Sequence, residues 1–564
     1  MADTPDSTDA SSGGDASSQK TSIRETLSSI AIAFAMAFIF RAFVIEAFVI
    51  PTGSMAPTLL GKHMEHVGMQ TGARWQIGPW DPSNPSSANA AEVVVHDPMT
   101  TSNPRQLVES GPSAARRTAD EIRRRQGPLR LGDRILVLKY LPPLFAPSRF
   151  DVVVFKNPTD PTQNYIKRLT GLPGEQLAVV DGDIFTRDAA SPPSLADRQQ
   201  PGGTWAMDGW AIARKPELVQ RTVWMPVHDT SFAPLDPIRD GFNWYRPPWR
   251  GESVEGEPDP AWSGLDGRTP AYDGAGETVL RWDHDAWPIV DHYPYNERYR
   301  EAVGGRLRPV MPPTFGVGDV RVRAGVEPTG DPLRLLELRV DTRSHAFRAR
   351  LEDGEAVLES RPLDAEAGSP WTRLDANRLE PLPPGGVTDV EFWHADQAVW
   401  LFVGGRRIAY AEYDWGPLER VEHATGFPLE TVLPSMPTPE NYPSARPTIR
   451  IVGGVRLHRL GLDRDLYYQT TRSNSGAAVR GGHPSADLAL MDDRQYFVCG
   501  DNSASSQDSR LMTESSGWVT PLEAPDGIVP EELMMGKTFF VYFPALEHRG
   551  RIPVPGFGRM RFVW

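Results

Sequence analysis

Phe48-Val49-Ile50-Pro51-Thr52-Gly53-Ser54-Met55-Ala56-Pro57-Thr58-Leu59 lies directly behind the only long apolar run of a 564-residue chain. Prolines at 51 and 57 around Gly53 make this stretch a poor helix and a poor central strand. It reads as a rigid turn that holds one hydroxyl, that of Ser54, at a fixed height above whatever the apolar run is embedded in. Ser54 is therefore the first candidate nucleophile.

Upstream, Thr26 to Phe40 carries no charge. As a helix it would span roughly 22 Å, short of the roughly 30 Å hydrocarbon core of a bilayer. Continuing through Arg41 to Ile45 closes the gap if Arg41 snorkels to the far interface. The expectation is a transmembrane helix over 23–45 behind a disordered cytoplasmic tail, 1–22. A cleaved signal peptide would have a short basic leader, whereas this leader is long and acidic. A buried core helix is the other reading of so short a run.

Composition points to a mainly β protein: 54 prolines and 50 glycines accompany few long helical patterns. A net charge of −14 with no basic stripe argues against a nucleic-acid binder. The single cysteine, Cys499, allows neither an internal disulfide nor a cysteine-based metal site. No cofactor is expected.

Downstream of the turn, 61–128 reads as an irregular insertion. It contains a basic helical piece, Ala114 to Gln126, and two solvated histidines, His63 and His66, rather than a metal pair. Strands then follow at Leu131–Tyr140, Arg149–Pro158 and Asn164–Glu175, with a hairpin over Ala178–Arg187 around Asp181-Gly182. Residues 188–310 are Pro-, Trp- and Asp-rich without clear periodicity and read as irregular.

Short strands recur at Leu333–Val340, Ala346–Leu351, Ala356–Ser360, Val387–Trp393, Ala398–Val403, Arg407–Tyr413 and Thr448–Leu457. They predict a β-sandwich over 311–460, closed by a return linker, 461–489. A last β segment, 490–564, ends in a solvated arginine-containing tail. The fold class expected is mainly β, with an N-terminal transmembrane helix. Its β core is built from 46–60, 129–187 and 490–564 and interrupted by a large sandwich insertion.

A serine nucleophile needs a base. No G-x-S-x-G elbow surrounds Ser54 and no histidine sits in the ordered strands of the core. Lysine can serve if burial among apolar groups strips its charge. Lys167, beside Tyr165, Ile166 and Leu169, suits this. Lys139 and Lys156 also follow apolar strands, so position alone leaves three lysines open.

Three long motifs occur in order behind the apolar run: Pro51-Thr-Gly-Ser-Met-Ala-Pro-Thr58, Tyr165-Ile-Lys-Arg-Leu-Thr-Gly-Leu-Pro-Gly-Glu175 and Gly500-Asp-Asn-Ser-Ala-Ser-Ser-Gln-Asp-Ser-Arg510. With Asp133 and Asp151–Pro158 they resemble the ordered boxes of bacterial type I signal peptidases, over about 200 residues. The insertions are not covered.

The resemblance implies Ser54 as nucleophile and Lys167 as general base. It implies an oxyanion hole made by the Ser54 N–H and the Thr52 hydroxyl, and Ser506 orienting the lysine. Phe48, Ile50, Met55, Tyr165 and Ile166 would form the substrate pocket, with Met55 helping to bury Lys167. Asp501, Asp508 and Arg510 would brace the loop, and no metal is implied. Departures are Ser503, where the family often has Arg or Pro, and the longer segment Leu511 to Asp526.

The function implied is removal of signal peptides from exported preproteins with small residues before the cut. The enzyme would be anchored in the bacterial inner membrane, with the N-terminus cytoplasmic and the catalytic part outside. The alternative is a membrane-anchored binding protein whose core is inactive and whose sandwich takes a glycan or protein ligand. That texture is carried by Val387 to Tyr413, which resembles concanavalin- or laminin-G-like domains. A self-cleaving Ser–Lys repressor fits poorly with the anchor.

Overall fold

The computed structural model describes residues 18–78, 92–100, 114–118, 130–140, 146–189, 192–239, 242–296, 302–303, 306–307, 314–366, 368–433, 437–472, 476–519, 522, 525–544, 547–549, 552–554 and 557–564. The expected tail, 1–22, lies mostly outside them, and from Ser18 onward the chain is helical rather than disordered. One helix runs Ser18–Phe43 over 26 residues, about 39 Å at 1.5 Å per residue. Its segment Glu25–Phe43 has a mean hydropathy of 1.8, and none of it is buried. By length and composition it is able to cross a membrane. The helix stops before 45. Ile45–Val49, rich in β-branched and aromatic residues, instead pairs antiparallel with Arg134–Lys139.

That pair opens an eight-stranded antiparallel sheet. Its order is Ile45–Val49, Arg134–Lys139, Met534–Phe543, Val152–Lys156, Asn164–Gly171, Gln495–Cys499 and Val529–Pro530, with Arg561–Phe562 on Met534–Phe543. Segments hundreds of residues apart become neighbours because each is too apolar to remain alone. Ile50, Met55, Leu59, Ile135, Val137, Val152, Val154, Ile166 and Val541 form one buried cluster, each side chain contributing about 1.5–3 kcal/mol. Beside it, Glu175–Val180 and Asp183–Asp188 form a hairpin. Its turn, Asp181-Gly182, has positive φ at both residues (46° and 85°), as a tight two-residue loop requires.

The insertion is a two-sheet sandwich. One sheet has the order Trp262–Ser263, Ala271–Tyr272, Val455–Arg464, Val320–Pro328, Thr388–Ala395, Ala398–Val403, Arg406–Glu412, with Met225–Asp229 on Val455–Arg464. The other has Trp249–Glu252, Glu277–Trp282, Arg446–Val452, Leu335–Thr342, His345–Glu352, Glu355–Pro362, Thr372–Arg378. Their inner faces share one apolar cluster.

Residues 188–310 are therefore not irregular throughout. Five of the strands, from Met225 to Trp282, fall there; four of them have five residues or fewer, too short for alternation to show in the sequence. The expected strand Thr448–Leu457 is two strands in opposite sheets, with the chain crossing at Gly453, φ 123°. The second runs on to Arg464, into the expected return linker. Strands at Val320–Pro328 and Thr372–Arg378 complete the set.

The 61–128 region also holds structure. Met64–Val67 and Arg74–Ile77 form a hairpin. His63 and His66 are buried, at 0% and 3% exposure, not solvated. The His63 ring is held by the Gly61 carbonyl (2.8 Å) and burial pushes its pKa down to about 4, while His66 stacks on Trp75. Ala114–Thr118 is a strand on Glu92–His96, where cross-strand pairing outweighs helical propensity. The remainder of the expected helix, to Gln126, lies outside the described residues. Of the terminal arginines, Arg561 is not free in solvent either: it donates to the Thr58 carbonyl (2.6 Å).

Insertion and core meet through buried charge. Asp181 and Asp183 of the core hairpin pair with Arg343 and Arg420 of the insertion, and Arg343 also pairs with Asp319. Lys215 bonds Asp396 and Asp465.

Candidate active site

The turn after Ile50 is tied down at both ends by one residue. The Ile50 N–H donates to the Asp133 carbonyl (2.9 Å), the Asp133 N–H to the Leu60 carbonyl (2.9 Å), and the Leu60 N–H to the Asp133 carboxylate (3.0 Å). Asp133 is fully buried, so these bonds are shielded from competing water. The turn is thereby fixed against the edge of the core sheet, with Ser54 at 8% exposure.

Lys167 comes from the neighbouring part of the sheet, on strand Asn164–Gly171. Its Nζ lies 2.9 Å from Ser54 Oγ and 2.9 Å from the Ile166 carbonyl, and it sits 5.0 Å from the centre of the Tyr165 ring. Of the three lysines left open by sequence, only this one reaches Ser54. Lys139 is paired with Glu46 and the Ala42 carbonyl, and Lys156 stands at the far end of the neighbouring strand. Burial pulls the Lys167 pKa down to about 8, and Asp508 and Asp501 draw it only part of the way back.

Those two carboxylates are occupied elsewhere. Asp501 takes a bidentate pair from Arg168 (Nε to Oδ1 2.8 Å, Nη2 to Oδ2 2.7 Å) and accepts from the Thr58 hydroxyl. Asp508 takes Arg510 (3.0 and 2.8 Å) and the Gly500 N–H (2.8 Å). All four charged groups are buried. Bidentate pairing satisfies the fork of each guanidinium, and each pair presents little net charge to the lysine. Asp501, Asp508 and Arg510, the residues expected to brace the loop, all take part in these bonds. Arg168 and Thr58 share it, although no sequence signal beyond membership of a motif marked them.

Ser506 is buried near the site but does not bond Lys167; its hydroxyl has no hydrogen-bond partner. The Lys167 amine donates instead to the Ile166 carbonyl. Ser506 packs on Gly500, where a side chain would meet its Oγ at 2.1 Å and the Ser54 carbonyl at 2.6 Å. Thr52 is exposed on the same turn. Ile50 and Met55, expected as pocket walls, are buried in the core cluster at 2% and 0% exposure. Ile166, at 7%, packs beside them. Phe48 and Tyr165 are half-buried and pack on the core clusters of the sheet.

Asn502, which sequence reading passed over, closes the turn from above. Its N–H donates to the Ser54 carbonyl (3.0 Å) and its side-chain amide to the Gly53 carbonyl (2.9 Å).

Residues 23–100 and 126–218 match the sequence model of the family described as signal peptidase, peptidase S26. Over these residues the chain is similar to signal peptidases. Proteins named signal peptidase I from Rickettsia typhi and Rickettsia prowazekii are each 48% identical to it over 42 residues, 7% of this chain and 16% of theirs. The chain thus matches about a sixth of the length of these relatives. Among solved structures, a carbohydrate binding module from Bacillus subtilis covers 38% of this chain and 95% of its own at 6% identity and a TM-score of 0.20. A galectin from Caenorhabditis elegans covers 28% and 91% at 18% and 0.17.

The aromatic stretch behind the expectation of a glycan or protein ligand is interior. Trp393 and Trp400 are 0% and 7% exposed, packed with Trp224 and Phe402. They offer no open stacking platform.

Proposed function

We propose that this chain is a membrane-anchored serine endopeptidase that removes N-terminal signal peptides from exported preproteins, with Ser54 as nucleophile and Lys167 as general base. The observation that carries the reading is the 2.9 Å approach of Lys167 Nζ to Ser54 Oγ within a buried, charge-compensated surround. An amine with a pKa near 8 is neutral often enough at physiological pH to accept a proton.

In the first step neutral Lys167 takes the hydroxyl proton as Ser54 Oγ attacks the carbonyl carbon at the cut. The oxyanion that forms is met by the Ser54 N–H and the Thr52 hydroxyl. Each preorganised donor contributes about 3 kcal/mol. Collapse expels the amine of the mature protein, which takes its proton from Lys167 and leaves the signal peptide esterified to Ser54. Lys167 then removes a proton from water as it attacks the ester, and returns that proton to the departing Ser54 Oγ; the freed signal-peptide acid gives its remaining proton to solvent.

The apolar helix supports the location. Ser54 follows Phe43 by eleven residues, so the nucleophile would stand at the outer membrane surface, where the cut of a membrane-inserted precursor emerges. An extended precursor segment, with small side chains at the two alternate positions before the cut, would lie beside Phe48 and Tyr165.

The test is cleavage of a precursor with an Ala-x-Ala-like site by the full chain in detergent or vesicles. Ser54→Ala should abolish turnover. For the native enzyme kcat/KM should rise with pH through about 8, because the base works only when neutral. Unimpaired turnover by Ser54→Ala would overturn the reading.

A further inference from the structure

The insertion reaches into the site. Its segment Pro294–Asn296, a single 3-10 turn, lies between the sandwich and the catalytic turn. Tyr295 is 5% exposed and packs with Ala56 and Leu60 of that turn. Its hydroxyl donates to the Lys62 carbonyl (2.7 Å). Its ring packs so closely on Gly53 that any Cβ there would sit 1.9 Å from a ring carbon. A glycine at 53 is thus required by a residue of the insertion, about 240 positions away.

Asn296 exchanges two hydrogen bonds with Asn502: its Nδ2 donates to Asn502 Oδ1 (2.6 Å) and Asn502 Nδ2 donates to its Oδ1 (2.8 Å). A side-chain amide has two N–H donors. Asn502 spends one on Asn296 and the other on the Gly53 carbonyl (2.9 Å). Asn296 therefore fixes the rotation of the Asn502 amide, and that amide, together with the Ala56 N–H (3.0 Å), fixes the direction of the Gly53 C=O. The Gly53 C=O and the Ser54 N–H belong to one planar trans peptide and point opposite ways. Holding the carbonyl holds the N–H.

We propose that Tyr295 and Asn296 are positioning residues for the oxyanion donor on Ser54, so that the insertion completes the active site. Tyr295 presses the Gly53–Ser54 peptide from one side, and Asn296 aims it through Asn502. The inference rests on the Ser54–Lys167 reading and adds to it a role for the insertion.

Oxyanion donors act on the transition state, so loosening this peptide lowers kcat and leaves ground-state binding alone. With the full chain and the same precursor, Asn296→Ala should lower kcat about 10- to 30-fold with KM within twofold. The pH midpoint of kcat/KM should not move, because nothing around Lys167 changes. Asn296→Gln, which restores the amide one methylene further out, should recover part of the loss. In an Asn502→Ala background, Asn296→Ala should cost no more than twofold, since its route of action is already gone. Thermal unfolding of each variant identifies any loss that comes from folding.

If Asn296→Ala keeps wild-type kcat while Ser54→Ala is inactive, the positioning role is overturned and the peptidase reading stands. Full additivity of the Asn296 and Asn502 losses would also overturn it. If Ser54→Ala still cleaves, the peptidase reading falls first.

Discussion

Two lysines in this molecule are almost equally buried and behave in opposite ways. Lys167, in the core, is 3% exposed; Lys215, at the junction with the insertion, is 6% exposed. Burial alone pulls both ammonium groups down. For Lys167 the pull wins, leaving a pKa of about 8. For Lys215 it is overcome by Asp396, Asp465 and Asp183, which hold the ammonium well above its usual range.

The difference lies in who owns the neighbouring carboxylates. Around Lys167, Asp501 belongs to Arg168 and Asp508 to Arg510, and the nearest polar atoms are a hydroxyl and a carbonyl. Around Lys215, two carboxylates contact the amine directly. A buried lysine becomes a base when its counter-charges are committed elsewhere, and a structural pin when they are not.

The sharpest test of the contrast is removal of each amine. Lys167→Met should lower kcat/KM at least about 10⁴-fold, as loss of a member of a catalytic unit does. The same change should stabilise the fold. The sign follows from linkage: a lysine whose folded pKa is below its unfolded value binds fewer protons when folded, so it costs stability below pH 8 and the cost fades as pH rises toward 10.5. At pH 7 the variant should gain up to about 3 kcal/mol in denaturant unfolding, the equivalent of a shift from 10.5 to about 8. A destabilised Lys167→Met would break the contrast.

Lys215→Met should do the reverse. It leaves Asp396 and Asp465 buried without their cation, which typically costs about 3–5 kcal/mol. Turnover per folded molecule should stay within twofold, and the pH midpoint of activity should not move. A shifted midpoint would mean that the junction charges reach the base after all.

Legibility in the sequence followed the same division. The Ser54–Lys167 contact was legible because the motifs place unusual residues in order, and the sandwich strands between Leu335 and Glu412, except Thr372–Arg378, because they are long enough for alternation and type I′ turns such as Asp396-Gln397 to show. Met225–Asp229 and Trp249–Glu252 were not, because strands of four or five residues in Pro- and Trp-rich sequence carry no period. His63 and His66 were misread as solvated because their polar neighbours conceal a hairpin that buries them. Asn296 could not have been found at all. Its role depends on a contact across 206 residues with Asn502, and nothing local to Pro294-Tyr-Asn marks it.

The smallest effect expected concerns the proton content of the junction. Burial pushes the Asp465 carboxyl up to about 6, against the pull of Lys215 and with help from Asp396. An acid whose folded pKa is raised takes up a proton on folding, so this group makes the protein less stable as pH rises from about 4 to about 6. Asp319 works the other way, with its carboxyl held well below the usual range against burial by Arg343, His394 and Arg420; its contribution is lost only in more acidic solution. Asp465→Asn removes the first slope and leaves the second. The stability difference between pH 4.5 and pH 7 should therefore change by about 1–2 kcal/mol relative to the native chain, measured by urea unfolding at the two pH values. An unchanged difference would mean that Asp465 is ionised throughout and that Lys215 holds two full counter-charges. The contrast with Lys167 would then be wider still.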